Sequence, residues 1–315
     1  MKQTFYISLK FVAILLLILF AVDWFISTGI KKNDTGIFGK INKICNQNKL
    51  PQIAIFSSSV GEMGLDSKVI QTATSQSTYN FALNGTRFMQ YKGLVNEIGN
   101  ATNNTKIIVF AETFFSFEKL SGINQIERYV SNISNKNIYN SLYNLQPDLA
   151  FKCRYIPFYK YVAVTYNYYL QSVLGWKNFI TKKIITDTLL GQTKVNRKWQ
   201  TDQDSILKYM QPITVTIDSE ILVTYKQTIN NLVANGKKIV ITIPPMYMQK
   251  EQKILDITLL KTTLKSIANN KTIFFFDFSE SMVDKQYFYN AMHLNAFGAA
   301  VFSKRFADSL NTITK

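Results

Sequence analysis

The sequence predicts an α/β protein: one domain on a central parallel sheet of about five strands, preceded by one N-terminal transmembrane helix. Three observations lead there. Five short apolar runs are each followed by turn residues and a helical stretch. Those runs are almost continuously apolar instead of alternating, as strands covered on both faces are. A single long apolar stretch stands ahead of them all. Alternating β and α units of this kind favour a parallel sheet with helices on both faces.

The N-terminal stretch is unbroken from Phe11 to Val22 and continues past Asp23 through Trp24, Phe25 and Ile26 to Ile30. It approaches the length of about 20 residues that spans a bilayer. Lys2 and Lys10 precede it, Lys31 and Lys32 follow it, and Trp24 stands where an interfacial aromatic belongs. Residues 1–30 are therefore read as a retained anchor or, failing that, a cleaved signal peptide. The nearest cleavage-like site is the weak Ser27-Thr28-Gly29. In both cases the bulk of the chain is expected on the far side of the membrane.

Residues 31–50, polar and rich in Asn, Lys and Gly up to Lys49, are expected to form a linker. The α/β domain then occupies 51–315. Its predicted strands are Ile53–Phe56, Tyr79–Leu83, Lys106–Phe110, Lys238–Ile243 and Thr272–Phe276. Helical patterns run over Ser219–Ala234, ended by Asn235-Gly236, and over Gln249–Ala268. A last helix follows Asn295, its cap, with an apolar face of Phe297, Ala300, Val301, Phe306 and Leu310. The gap between the third and fourth strands is too long for a plain crossover, so a helical aromatic insertion is expected at about 114–215. Within it, Phe151–Lys183 contains ten aromatics, six basic residues and no acidic one. That composition fits a cap packed by its aromatics, and it also fits a segment lying against a membrane surface.

Composition narrows the function. The 315 residues carry a net charge of +16, but only five of the 36 basic residues are arginine. With no recognisable module and few arginines for bidentate contacts, nucleic-acid binding is not expected. Anionic envelope polymers or lipid headgroups are better partners for the charge. Cys45 and Cys153 form no CxxC, and His293 is the only histidine. A disulfide framework, a structural zinc site and a multi-histidine metal centre are excluded on those grounds, and no cofactor is expected.

Three places can carry chemistry. Ser57-Ser58-Ser59-Val60-Gly61 follows the first strand and opens a helix, which exposes a serine beside backbone N–H groups able to bind an oxyanion. Asn84-Gly85-Thr86 follows the second strand, where a glycine lets the backbone approach a ligand. His293 lies in Asn290-Ala291-Met292-His293-Leu294-Asn295, before the last helix. Strand-end loops are where open α/β sheets gather ligands.

In this order, the three blocks resemble the SGNH/GDSL hydrolase superfamily. More narrowly they resemble its membrane-anchored envelope members, similar to the lipoteichoic acid D-alanylation protein DltD and to polysaccharide O-acetylation proteins. The resemblance runs from about Pro51 to the C-terminus, apart from the insertion. It implies a flavodoxin-like three-layer sandwich. IAIFSSSVGEMGLD places Ser57 at the family's glycine and Ser59 at its nucleophile, and NFALNGT places Gly85 at the oxyanion glycine. NAMHLNAFGA matches the histidine block through His293, Leu294, Asn295 and Gly298. Three positions depart, the first being Ser57 in the place of the glycine. FAETF puts Thr113 where the family has an oxyanion asparagine, and Asn290 stands where it has the carboxylate three residues before the histidine. Asp277, Glu280 and Asp284 are near enough in sequence to substitute.

The resemblance thus implies a serine esterase or O-acyltransferase acting on acyl esters of a cell-envelope glycan or polymer. Ser59, His293 and Asn290 would be the catalytic set, with Gly85 and Thr113 at the oxyanion. A membrane-bound acyl donor protein is a further expected partner. An inactive scaffold that binds a glycan or membrane partner is the alternative, on the strength of Asn290.

Overall fold

The computed structural model describes residues 2–46, 50–99, 104–163, 167–182 and 187–314. Lys49 and Lys183, the ends of the expected linker and of the basic aromatic stretch, lie outside the described residues. The chain forms two compact units, Met1–Asn46 with Ser121–Thr186, and Gln47–Leu120 with Asp187–Lys315.

The second unit is built on five parallel strands: β1 (Ile53–Ser57), β2 (Thr78–Asn80), β3 (Ile107–Ala111), β4 (Lys238–Ile243) and β5 (Ile273–Asp277). Their spatial order is β2-β1-β3-β4-β5, the flavodoxin-like arrangement, whose switch point lies between β1 and β3. Every residue of β1, β2 and β3 is buried, so both faces of the sheet are covered. Helices Phe88–Gly99 and Ser219–Ala234 pack together, and Ser59–Gly64 and Ser67–Thr74 pack against Ala296–Thr314. Much of the aromatic content lies in this core. Phe88, Phe110 and Phe117 surround Tyr225 at centroid distances of 4.9–5.3 Å. One buried carboxyl interrupts it: Glu112 accepts from the Tyr91 hydroxyl at 3.1 Å, and burial pushes its pKa up to about 7.

The strand expectations hold to within one residue at most ends. β2 is shorter than expected, although Phe81 and Leu83 still donate to Ile55 and Ser57 of β1. Ser219–Ala234 is helical as expected, with Asp218 capping its start. Two expectations fail in this unit. Gln249–Ala268 is not one helix: Tyr247–Lys250 and Ile257–Lys265 are helical, and Ile254–Leu255 between them pairs with Ile213–Thr214. Positive φ at Gln252 and Asp256 breaks the helical path there. In the last helix the buried face is Ala299, Phe302, Ser303, Phe306 and Leu310, while Phe297 is exposed and stacks on Tyr287.

The first unit holds the helix Lys2–Lys31, which among the described residues is the one long and apolar enough to cross a membrane. The presumed linker is helical over Gly36–Cys45. Phe38, Ile41 and Ile44 give that helix a buried stripe that the surrounding lysines conceal in the sequence. Asn42 fastens it, donating to the carbonyls of Ile30 and Asn33 and accepting from Asn132. Asp23, the residue that interrupts the apolar run, forms an ion pair with Lys160 at 2.9 Å with both side chains largely buried. It also accepts from the Phe158 amide at 2.9 Å, and Ser27 bonds the Tyr161 hydroxyl at 2.5 Å. Neither Cys45 nor Cys153 is in a disulfide among the described residues.

Candidate active site

Ser59 begins the helix that follows β1. Ser58, just before it, is extended and makes no side-chain cap, so the first N–H groups of the helix are left to other acceptors. Two side chains hold this turn. The Ser57 hydroxyl, where the resembled family has glycine, donates to Ala111 O at 2.5 Å. Asn80, buried at the end of β2, donates to Gly61 O at 2.8 Å and Leu65 O at 2.9 Å. Gly61 makes room for Ser57: a Cβ there would lie 2.3 Å from the serine Cβ and Oγ. Gly61→Ala is therefore expected to destabilise the fold by about 2 kcal/mol and to lower activity with it. Thermal unfolding measures the first effect, and Ser57→Gly in the same chain should restore much of the loss.

His293 is carried by a tight loop. Tyr289 N donates to His293 O and Asn295 N to Tyr287 O. The Asn295 side chain donates to Gln286 O at 2.7 Å and accepts from Gly298 N at 2.9 Å, so it caps the last helix as expected and pins the loop as well. His293 Nε2 lies 2.8 Å from Ser59 Oγ, and Nδ1 lies 3.1 Å from Asn290 Oδ1. That same Oδ1 accepts the backbone N–H groups of Met292 at 3.0 Å and His293 at 2.8 Å. Two backbone donors fix the amide with its oxygen toward the ring. Nδ1 must then carry the proton, and Nε2 is the free base facing the serine.

The imidazole is largely buried under Tyr289, which stacks on it at 5.6 Å. Burial drives its pKa down from 6.5 to about 4, opposed only in part by the negative charge of Glu62. A neutral ring at physiological pH suits a general base. The acid limb of kcat/KM is expected near pH 4, well below that of an unperturbed histidine. Stability follows the same group: between about pH 4 and 6.5 the unfolded chain holds a proton that the folded ring does not. This contribution is therefore complete above 6.5 and is lost as pH falls through 4. A pH–rate profile with an acid limb at 6.5 or above would contradict this.

The structure brings Ser59, His293 and Asn290 together. Gly85 occupies the turn after β2 with φ +74°, next to Leu83, whose amide donates to Ser57 O; it lies at the same sheet edge as the serine. Thr113 behaves otherwise. It is fully buried, its amide donates to Ser116 Oγ at 2.8 Å, and its hydroxyl lies 3.4 Å from the same atom. Those contacts hold the 113–116 turn. Asp277 and Glu280 are engaged with Lys261, and Asp284 with Gln286, so these contacts run away from the histidine. The carboxylate that acts on His293 is Glu62, one helical turn after Ser59. Its spacing of three residues from the serine was the available signal.

An extended segment joins these elements. Thr193 bonds Glu62 through both its amide and its hydroxyl, Val195 O accepts from Ala296 N, and Arg197 sits 5.5 Å from the Tyr289 ring. Beyond it, Lys198, Trp199, Lys285, Asn295 and Phe297 line a cleft of about 600 Å³.

No protein-family model matches the chain, and no curated protein matches it. Among solved structures it is similar to a protein from Streptococcus pneumonia provisionally described as a platelet activating factor. Identity is 11% and the TM-score 0.38, over 97% of this chain and 99% of that one. The chemistry of the site therefore rests on its own geometry.

Proposed function

We propose that the protein is an SGNH-like serine esterase or O-acyltransferase. The observation that carries this is the continuous Ser59–His293–Asn290 hydrogen-bond chain at 2.8 and 3.1 Å. Ser59 Oγ attacks the ester carbonyl carbon as its proton passes to His293 Nε2. The C–O bond of the leaving alcohol breaks, and the alcohol departs with that proton. Water or a sugar hydroxyl then attacks the acyl carbon, giving its proton to His293 Nε2, and His293 passes that proton to Ser59 Oγ as the acyl–Oγ bond breaks. The Ser59 and Gly85 amides are the proposed oxyanion donors. The substrate class is an acyl ester of an envelope glycan or polymer. Supporting that choice are the anchor-like helix and the aromatic and cationic lining of the cleft at Trp199 and Lys285, with the acyl group delivered by a membrane-bound donor protein. The α/β unit is placed on the extracytoplasmic side of the cytoplasmic membrane.

The test is turnover of p-nitrophenyl acetate by the full chain, with and without a chito-oligosaccharide acceptor. A burst of p-nitrophenol matching the enzyme concentration supports an acyl-serine, and acetylated sugar marks transfer. A folded chain that releases no p-nitrophenol would overturn the reading. Asn290 favours a second one, a non-catalytic glycan-binding scaffold, because an amide stabilises no imidazolium.

A further inference from the structure

The helix Tyr168–Ile180 is amphipathic in the wrong sense for water. Its inner face, with Tyr168, Ser172 and Gly175 buried, packs on the end of the N-terminal helix. Outward it presents Tyr169, Leu170, Val173, Leu174 and Ile180, between 38% and 73% exposed, and a single cation, Lys177. A helix facing water normally turns its polar side out, and a contiguous apolar face marks a contact.

What covers it follows from where the helix is fastened. A Cβ on Gly175 would lie 1.8 Å from Gly29 O, and one on Gly29 would lie 2.3 Å from Ser172 Oγ, so the two backbones touch. Trp176 stacks on Phe25 at 5.3 Å and donates to Phe25 O at 3.0 Å, with Trp24 6.5 Å away. Lys32 stands over the Phe179 ring at 3.3 Å. The N-terminal helix is largely exposed up to Phe25 and becomes buried from Ile26 onward, so its lipid-accessible part ends at this point. Paired tryptophans and a lysine are the usual furniture of that boundary. Between Phe151 and Lys182 the chain has no acidic residue, which suits anionic headgroups.

We propose that the helix Tyr168–Ile180 lies in the headgroup boundary of the bilayer crossed by the N-terminal helix, with its outward apolar face against lipid. The first unit is then seated on the membrane as well as tethered to it. This rests on the retained anchor. Asp23, Ser27 and Gly29 are all integrated into the unit, and cleavage at residues 27–29 would leave Lys160 without its carboxylate.

The test uses the full chain with Cys45→Ser, in vesicles of equal phosphatidylcholine and phosphatidylglycerol. Cys153 stays silent, since it is buried and burial pushes its thiol up to about 11. A bimane label is placed at Val173→Cys, at Ile180→Cys on the same face, or at Lys226→Cys as the water-exposed control. The expected result is quenching of the 173 and 180 labels by doxyl lipids several-fold above the control, with protection from iodide. Iodide quenching equal to the control would place the helix in water. Quenching by neither agent would mean that protein, such as a second copy, covers the face. Both results overturn the proposal, and failure of the chain to float with vesicles removes the anchor too. Unfolding temperatures matching the parent exclude misfolding as the cause.

Discussion

Ser59→Ala is expected to lower ester turnover by about 10⁴-fold or more, with little change in unfolding temperature. Among the described residues, the hydroxyl is the nucleophile that the structure sets against His293 Nε2, at 2.8 Å. Removing Oγ leaves the ring, its partner Asn290 and the turn contacts of Ser57 and Asn80 in place. Hydrolysis of p-nitrophenyl acetate, compared at equal folded concentration, measures the loss. A variant retaining a tenth of the parent rate would mean that another group forms the acyl intermediate.

The second large effect has the opposite sign. Asn290→Asp is expected to raise kcat by about 10²-fold. In serine proteases the reverse change costs about 10⁴ in kcat, largely through the wrong tautomer. Here the tautomer is already right, because the Met292 and His293 amides orient the Asn290 oxygen. Glu62 also supplies part of the missing charge. The remaining gain is stabilisation of the imidazolium formed during attack. An aspartate keeps all three acceptor contacts, so the loop should not move. The substitution should also lift the His293 pKa from about 4 and carry the acid limb of the pH–rate profile upward. Glu62→Gln should move that limb down. An unchanged limb in Asn290→Asp would contradict a charge effect on the ring.

Buried strands and the two ends of the site were legible because their signals are local. β1, β3, β4 and β5 are apolar runs with turn residues at their ends, and Ser59 and His293 sit in short blocks in the expected order. What sequence could not show depends on distant partners. Asp23 reads as an interruption in a membrane span, and only its pairing with Lys160, 137 residues on in the sequence, explains it. Gln249–Ala268 has helical periodicity, yet positive φ at Gln252 and Asp256 and pairing with Ile213–Thr214 divide it. The stripe of Phe38, Ile41 and Ile44 was too short to stand out from its lysines.

The most direct test of the central claim is fluorophosphonate labelling of the full chain, read by mass spectrometry. An activated serine should take one adduct, located on Ser59, and both Ser59→Ala and His293→Ala should abolish it. A folded parent chain that takes no adduct, or takes it at another residue, would contradict a nucleophile at Ser59.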